Sequence, residues 1–172
     1  MSPLVVLVGP PGAGKTTVGT LLAERLGVAL RDTDADVEES AGATISDLFV
    51  DHGEAHFRAL ERQAVTTAVT EHEGVLSLGG GAVVDPDTRE ALRGHRVVFL
   101  DVGLTEAVRR IGLGASRPLL LGNVRAQLKA LLDQRRPMYE AVAWRTVDTD
   151  GQTPEQIVDD IAGALTREDA AS

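Results

Sequence analysis

"LVVLVGPPGAGKT", Leu4 to Thr16, joins an apolar, β-branched run to a glycine-rich turn and the start of a helix-forming segment. The run Leu4–Val8 is short and apolar enough to be a buried strand. Gly9–Thr16 fits the pattern G-x-x-x-x-G-K-[ST]. Glycines in that pattern let successive backbone N–H groups turn toward a phosphate, and the helix that follows adds its positive N-terminal end. Gly12, Ala13, Gly14, Lys15, Thr16 and Thr17 are then the phosphate-binding residues. Lys15 reaches the β- and γ-phosphates, and the Thr16 hydroxyl takes Mg²⁺. A ligand-free glycine turn could share the composition. A strand directly before and a helix directly after is, however, the context a phosphate loop requires. The chain is expected to bind a nucleoside triphosphate with Mg²⁺.

Further strands are expected at Val28–Leu30, Val75–Leu78, Arg96–Leu100 and Trp144–Thr149, with helical segments between them. Lys15–Leu26 reads as a helix stopped by Gly27 at its C′ position. Asp85-Pro86 and Thr153-Pro154 each pair an N-cap residue with proline at the first helical position, and Gln156 completes a capping box with Thr153. Strands alternating with helices predict a three-layer α/β/α fold with a five-stranded parallel sheet. Ligands on such sheets bind beyond the carboxyl ends of the strands. One domain over 1–172 is expected, with a frayed tail at 167–172.

The 172 residues suffice for one globular core, and 43% hydrophobic with 25% charged residues excludes disorder and membrane classes. "MSPLVVLVG" lacks a basic leader and a long apolar segment, so no signal peptide and no membrane association are expected. There are no cysteines, which excludes disulfides and fits a cytoplasmic protein. A net charge of −9 argues against nucleic acid as a partner, since duplex binding needs a basic face. No guanine-reading N-K-x-D follows the phosphate loop, so a GTPase switch is not expected. Motor and transport ATPases usually carry more sequence.

After the second strand comes "LRDTDADVEES", Leu30–Ser40, with Asp32, Asp34 and Asp36 alternating. A calcium loop fails here, because its sixth position is Val37 and its twelfth Ala43. Asp36 suits the first turn of a helix. Asp32 and Asp34, two apart at a strand end, would point to one side. One could hold the metal's water shell while the other accepts a proton from an attacking alcohol. "LSLGGGAV" then sets Gly79, Gly80 and Gly81 after the third strand. They form either a flexible turn or a set of N–H donors open to a ligand. "FRALE" puts Arg58 and Glu61 on one helix face, as a surface ion pair or as an oriented guanidinium. His52, His56, His72 and His95 have no zinc-binding arrangement. "HGEAH" carries its glutamate in the wrong place for a zinc protease, and Gly53 interrupts the helix it would need.

Together these residues resemble the shikimate kinase family, in register from the first strand to about Thr166. The motifs are "GPPGAGKTT", "DTD", "FRxxE", "LGGGAV", "SRPLL" (Ser116–Leu120) and "RRPMY" (Arg135–Tyr139), the last fitting R-x-P-x-Y. The resemblance implies ATP- and Mg²⁺-dependent phosphorylation of the 3-hydroxyl of shikimate in the chorismate and aromatic amino-acid pathway. It implies a fold of the P-loop kinase type, with a mobile lid at about 112–124 and a substrate-binding helical region at about 33–61. Asp34 would be the base and bind shikimate hydroxyls. Arg58 and Arg135 would clamp the substrate carboxylate, with Gly79, Gly80 and Gly81 and the oriented Glu61 beside them. Lys15 and Arg117 would neutralise the transferred phosphoryl group. Thr16 would bind the metal directly and Asp32 through water. Phe49 and Phe57 would wall the ring or simply be core. Arg110 and Pro154 would flank the adenine, although Arg110 also suits a solvated helix face.

Of the adjacent arginines, the spacing to proline selects Arg135 over Arg136. "DTDGQTPEQ" lacks the arginine that some relatives carry after Asp150. Another small-molecule kinase of this fold, gluconate kinase above all, and a catalytically silent nucleotide-binding relative are the competing possibilities. A monomer is the default expectation.

Overall fold

Strand β1 (Val5–Val8) has every side chain buried, and their alternation sets the layering. Val5 and Leu7 enter one apolar cluster, Val6 and Val8 the other, as a period of two requires. A strand buried on both faces needs helices on both faces, which is how parallel sheets are covered. The computed structural model of the chain describes residues 2–113 and 121–172, with side chains over 2–111 and 124–172.

The elements that follow are α1 (Lys15–Leu26), β2 (Leu30–Asp32), α2 (Thr33–Ala41), α3 (Ile45–His52), α4 (Glu54–Glu71), β3 (Val75–Ser77), α5 (Pro86–Ala91), β4 (Val97–Asp101), α6 (Leu104–Leu113), α7 (Leu121–Val142), β5 (Arg145–Asp148) and α8 (Pro154–Ala171). A short 3₁₀ turn, Ala82–Val84, precedes α5. The five strands lie in the order β2-β3-β1-β4-β5, and every pair is parallel. The three-layer α/β/α fold expected from the strand–helix alternation is the one observed. Register sets Ser77 beside both Leu7 and Asp32, so the carboxyl ends of β1, β2 and β3 finish together.

On one face, α1 and α8 pack through Val18, Leu22, Ile157 and Ile161. On the other, α4 contributes Val65, Ala68 and Val69. The long α7 serves both clusters, with Leu128 and Leu132 in the first and Tyr139 in the second. A third cluster of Val37, Leu48 and Phe57 ties α2, α3 and α4 into a helical lobe. Among the described residues, no helix is long and apolar enough to cross a membrane.

Helix ends follow the expected chemistry. Asp85 accepts the Asp87 N–H at 2.8 Å and Pro86 follows it. Thr153 and Gln156 form the reciprocal capping box. The interruption at Gly53 is also observed, between α3 and α4.

β1, β3, β4 and β5 differ from expectation by no more than one residue at either end, and two boundaries differ by more. β2 begins at Leu30 rather than Val28 and runs through Arg31 and Asp32. It is an edge strand, half-buried throughout, so polar residues are tolerated and the apolar pattern does not mark it. The last residues, read as a tail from 167, continue α8 to Ala171. They are exposed, but an Arg96–Asp169 ion pair at 2.6 Å joins this end to the start of β4. Ala170 and Ala171 also favour helix.

Candidate active site

The phosphate loop follows β1. Gly12 (φ 84°) and Gly14 (φ 91°) take left-handed conformations that L side chains resist. Gly14 is the N-cap of α1, with no side-chain cap and no acidic residue in the first turn. The positive end of α1 is thus left for an anion. Lys15 donates from Nζ to the Gly9 carbonyl at 2.6 Å and to the Pro10 carbonyl at 3.3 Å. Burial lowers the Lys15 ammonium to about 8, against the opposing pull of Asp34 and Asp32.

A cleft of about 450 Å³ opens beside this loop, lined by Lys15, Thr16, Thr17, Asp32, Asp34, Ser77, Gly79, Gly80 and Arg110. The two aspartates do come together, though not for the expected reason. Only Asp32 belongs to the strand. It is the N-cap of α2, and its Oδ1 accepts the Asp34 N–H at 2.8 Å. Asp34 lies in the first helical turn, so the helix start rather than the strand's period of two sets their approach. Burial, followed by the charge of Asp32, raises the Asp34 carboxyl above its ordinary value, while Lys15 pulls it down. Asp36 pairs instead with Arg31 at 2.7 Å.

The donors around the phosphate loop suit Mg²⁺. A hydroxyl (Thr16) and carboxylates (Asp32, Asp34) are hard oxygen ligands in one cleft. Mg²⁺ is usually held by one or two carboxylates, substrate phosphates and retained waters rather than by an all-protein cage. Accordingly, no cluster of three or more His, Cys, Asp or Glu forms such a cage among the described residues.

Asp34 also adjoins a second group of charged side chains. Arg58 donates to Glu61 at 2.7 Å, and Glu61 is only 2% exposed. This is an oriented guanidinium rather than a surface ion pair. Burial raises the Glu61 carboxyl, and the Arg58 hydrogen bond opposes it. The triple glycine packs into this group. A Cβ on Gly79 would lie 2.5 Å from Asp34 Oδ1, and one on Gly81 would fall onto the Arg58 guanidinium. The N–H groups of Gly79, Gly80 and Gly81 have no hydrogen-bond partner among the described residues. Gly81 packs on Arg58, Gly79 on Asp34 and Glu61, and Gly80 on Pro11 of the phosphate loop, and unpaired N–H donors next to a guanidinium suit an anion.

Arg135 faces this group from α7. Its charge bears on Lys15, Glu61 and Tyr139, and its buried Nε is without a hydrogen-bond partner among the described residues. Arg136 turns elsewhere, pairing with Asp101 at 2.7 Å and lying 6.0 Å from the Phe99 ring centre. Phe57 is buried in the helical lobe, and Phe49, at 37% exposed, meets its ring at 4.8 Å between centroids. One ring is therefore core while the other presents a face outward.

Arg110 donates to the Gly12 carbonyl at 2.8 Å and to Glu106 at 3.1 Å. With Pro154, Thr17, Gly14 and Gln152 it lines a depression of about 330 Å³ adjoining the phosphate loop. Asp150, in the loop without an arginine, accepts the Gly103 N–H just before α6. Arg117, and the lid assigned to about 112–124 apart from the helix ends at 112–113 and 121–124, lie outside the described residues.

The sequence pattern assigns no role to Ser77 or Gln152, and none to Tyr139 beyond its motif. A serine that ends an otherwise apolar strand is the one signal available for Ser77. Nothing in the spacing marks Gln152.

Comparison with known proteins gives the family. A family model described as "Shikimate kinase" matches residues 11–166. The shikimate kinase of Salinispora arenicola is 64% identical over 165 residues, which cover 96% of this chain and 99% of that one. That of Streptomyces coelicolor is 58% identical over 156 residues, covering 91% of each. Among solved structures, shikimate kinase from Acinetobacter baumannii in complex with shikimate superimposes with a TM-score of 0.88 at 35% identity, covering 98% of this chain and 94% of that one.

Proposed function

This chain belongs to the shikimate kinase family, and we propose that the cleft beside the phosphate loop, with the neighbouring Arg58 group, is where its reaction occurs. The reaction is phosphoryl transfer from ATP to the 3-hydroxyl of shikimate, giving shikimate 3-phosphate and ADP. One observation carries the assignment: Asp34 is close enough to feel the charges of both Lys15, in the phosphate loop, and Arg58, and it abuts Gly79 together with Glu61.

In this arrangement Asp34 accepts the proton of the attacking hydroxyl. Its raised pKa brings it closer to that task than an ordinary aspartate. Arg58 and Arg135 hold the substrate carboxylate, because a guanidinium meets a carboxylate through two parallel hydrogen bonds. Glu61 fixes the plane of Arg58, and the glycine N–H groups complete the anion site. Phe49 and Phe57 bound the apolar side of the ring. Lys15 and Arg117 balance charge on the transferred group. Thr16 and Asp32 would hold Mg²⁺, which when bound neutralises phosphate charge. Asp32 can do so while its Oδ1 caps α2, since the other oxygen is not used in that bond. Arg110 and Pro154 flank the adenine.

A monomer is the assembly this reading assumes, since no role in it is given to a residue of a second chain. Dependence on ATP fits a cytoplasmic enzyme. A coupled assay of ADP release with ATP, Mg²⁺ and either shikimate or gluconate tests the assignment. Turnover with shikimate and none above background with gluconate is expected; the reverse preference would overturn it.

A further inference from the structure

We propose that Tyr139 is a positioning residue for the substrate carboxylate, acting through the backbone of the triple-glycine loop. The proposal builds on the assignment of Arg58, Arg135 and that loop as the carboxylate site. Tyr139 follows Arg135 by one turn of α7, so both side chains lie on one face of the helix. It is 1% exposed, and its ring stacks on Phe99 of β4 with centroids 4.9 Å apart. Its hydroxyl donates to the Gly80 carbonyl at 2.5 Å. Burial pushes the phenol above its ordinary value, which favours its protonated, donating form.

The consequence follows from peptide geometry. The bond between Gly80 and Gly81 is planar and trans, so its C=O and N–H point in opposite directions. Fixing the carbonyl therefore fixes the direction of the Gly81 N–H. The loop's own bonds hold the peptides on either side, since the Gly79 and Gly81 carbonyls accept from the Ala82 and Val84 N–H groups, but among the described residues none of them holds the peptide between Gly80 and Gly81. Glycine has the widest conformational freedom of any residue, and the glycine N–H groups have no partner among the described residues to hold them. Gly81 also packs so closely on Arg58 that a Cβ would overlap the guanidinium, so a rotated peptide would disturb both donors. Phe99 anchors the ring, the hydroxyl anchors the loop, and α7 brings Arg135 to the same carboxylate.

Tyr139→Phe keeps the ring and the stack and removes only the hydroxyl. One hydrogen bond is worth roughly 0.5–1.5 kcal/mol, which converts to about a two- to twelvefold rise in KM for shikimate. KM for ATP and kcat at saturating shikimate should stay within about twofold. The same variant is then assayed with a shikimate analogue whose carboxylate is reduced to hydroxymethyl. Wild type should use this analogue poorly, and Tyr139→Phe should add no further loss. An equal loss on both substrates, or no loss on either, would overturn the role of Tyr139 while leaving the carboxylate site standing. If wild type does not distinguish the analogue from shikimate, the carboxylate assignment itself fails, and the proposal with it. A measurement on the wild-type chain is independent of how the variant folds: the Gly81 amide resonance should move on titration with shikimate. An unmoved resonance at saturation would also refute the proposal.

Discussion

Replacing Gly79 by alanine would put a methyl group where the Asp34 carboxylate already lies. The new Cβ would stand 2.5 Å from Asp34 Oδ1 and 3.0 Å from Glu61 Oε2, where ordinary contact begins at 3.4 Å. Gly79 is not among the residues with positive φ, so its backbone accepts alanine. The cost therefore falls on the side chains. Asp34 must retreat by roughly 1 Å, and a misplacement of that size costs on the order of 10²-fold in rate, or about 2.7 kcal/mol in the barrier. Steady-state kinetics should show kcat down about 10²-fold, with nucleotide affinity changed by less than about threefold because the phosphate loop is untouched. Thermal melting in parallel establishes that the variant is folded. A folded variant with kcat within about threefold of wild type would refute the role given to Asp34 position. Gly81→Ala provides the contrast. Its Cβ would displace Arg58 instead, so KM for shikimate should rise more than kcat falls.

Arg135→Ala should weaken shikimate binding by about 10- to 150-fold, the range for a lost charged hydrogen bond of roughly 1.5–3 kcal/mol. Arg136→Ala removes a half-exposed pair with Asp101 and should cost less than about fivefold; equal effects would contradict the division of labour on α7. Because burial holds Lys15 down to about 8, kcat/KM for ATP should fall as pH rises above about 8 and the free enzyme loses that charge. A flat profile through pH ~9.5 would contradict it. With the Asp34 carboxyl raised, kcat/KM for shikimate should begin to fall on acidification above the ordinary aspartate value, and a limb below that value would argue against a buried base.

The parts of the fold legible in the sequence are those whose physics is local. β1 is apolar on both faces because it is central. The ends of α1, α5 and α8 carry their own stop and start residues. β2 is misjudged by two residues because an edge strand need not be apolar. Asp32 and Asp34 are identified correctly as a pair but for the wrong geometric reason, since helix capping leaves the same spacing as strand alternation. The pair Arg58–Glu61 is ambiguous at i,i+3 until burial decides it. Nothing local brings α2, α4 and α7 to one point. That meeting comes from crossovers over the sheet, and in the sequence only the resemblance to a family expressed it. The Tyr139 contact with Gly80 is of the same kind, joining residues 59 positions apart.

Asp34→Asn is the decisive substitution, because it removes the base while keeping the size of the side chain. Single-turnover phosphorylation of shikimate by this variant should be slower by about 10²–10⁴-fold, with ATP affinity preserved. Near-normal turnover would show that transfer proceeds without a base at Asp34, and would contradict proton acceptance by that carboxylate.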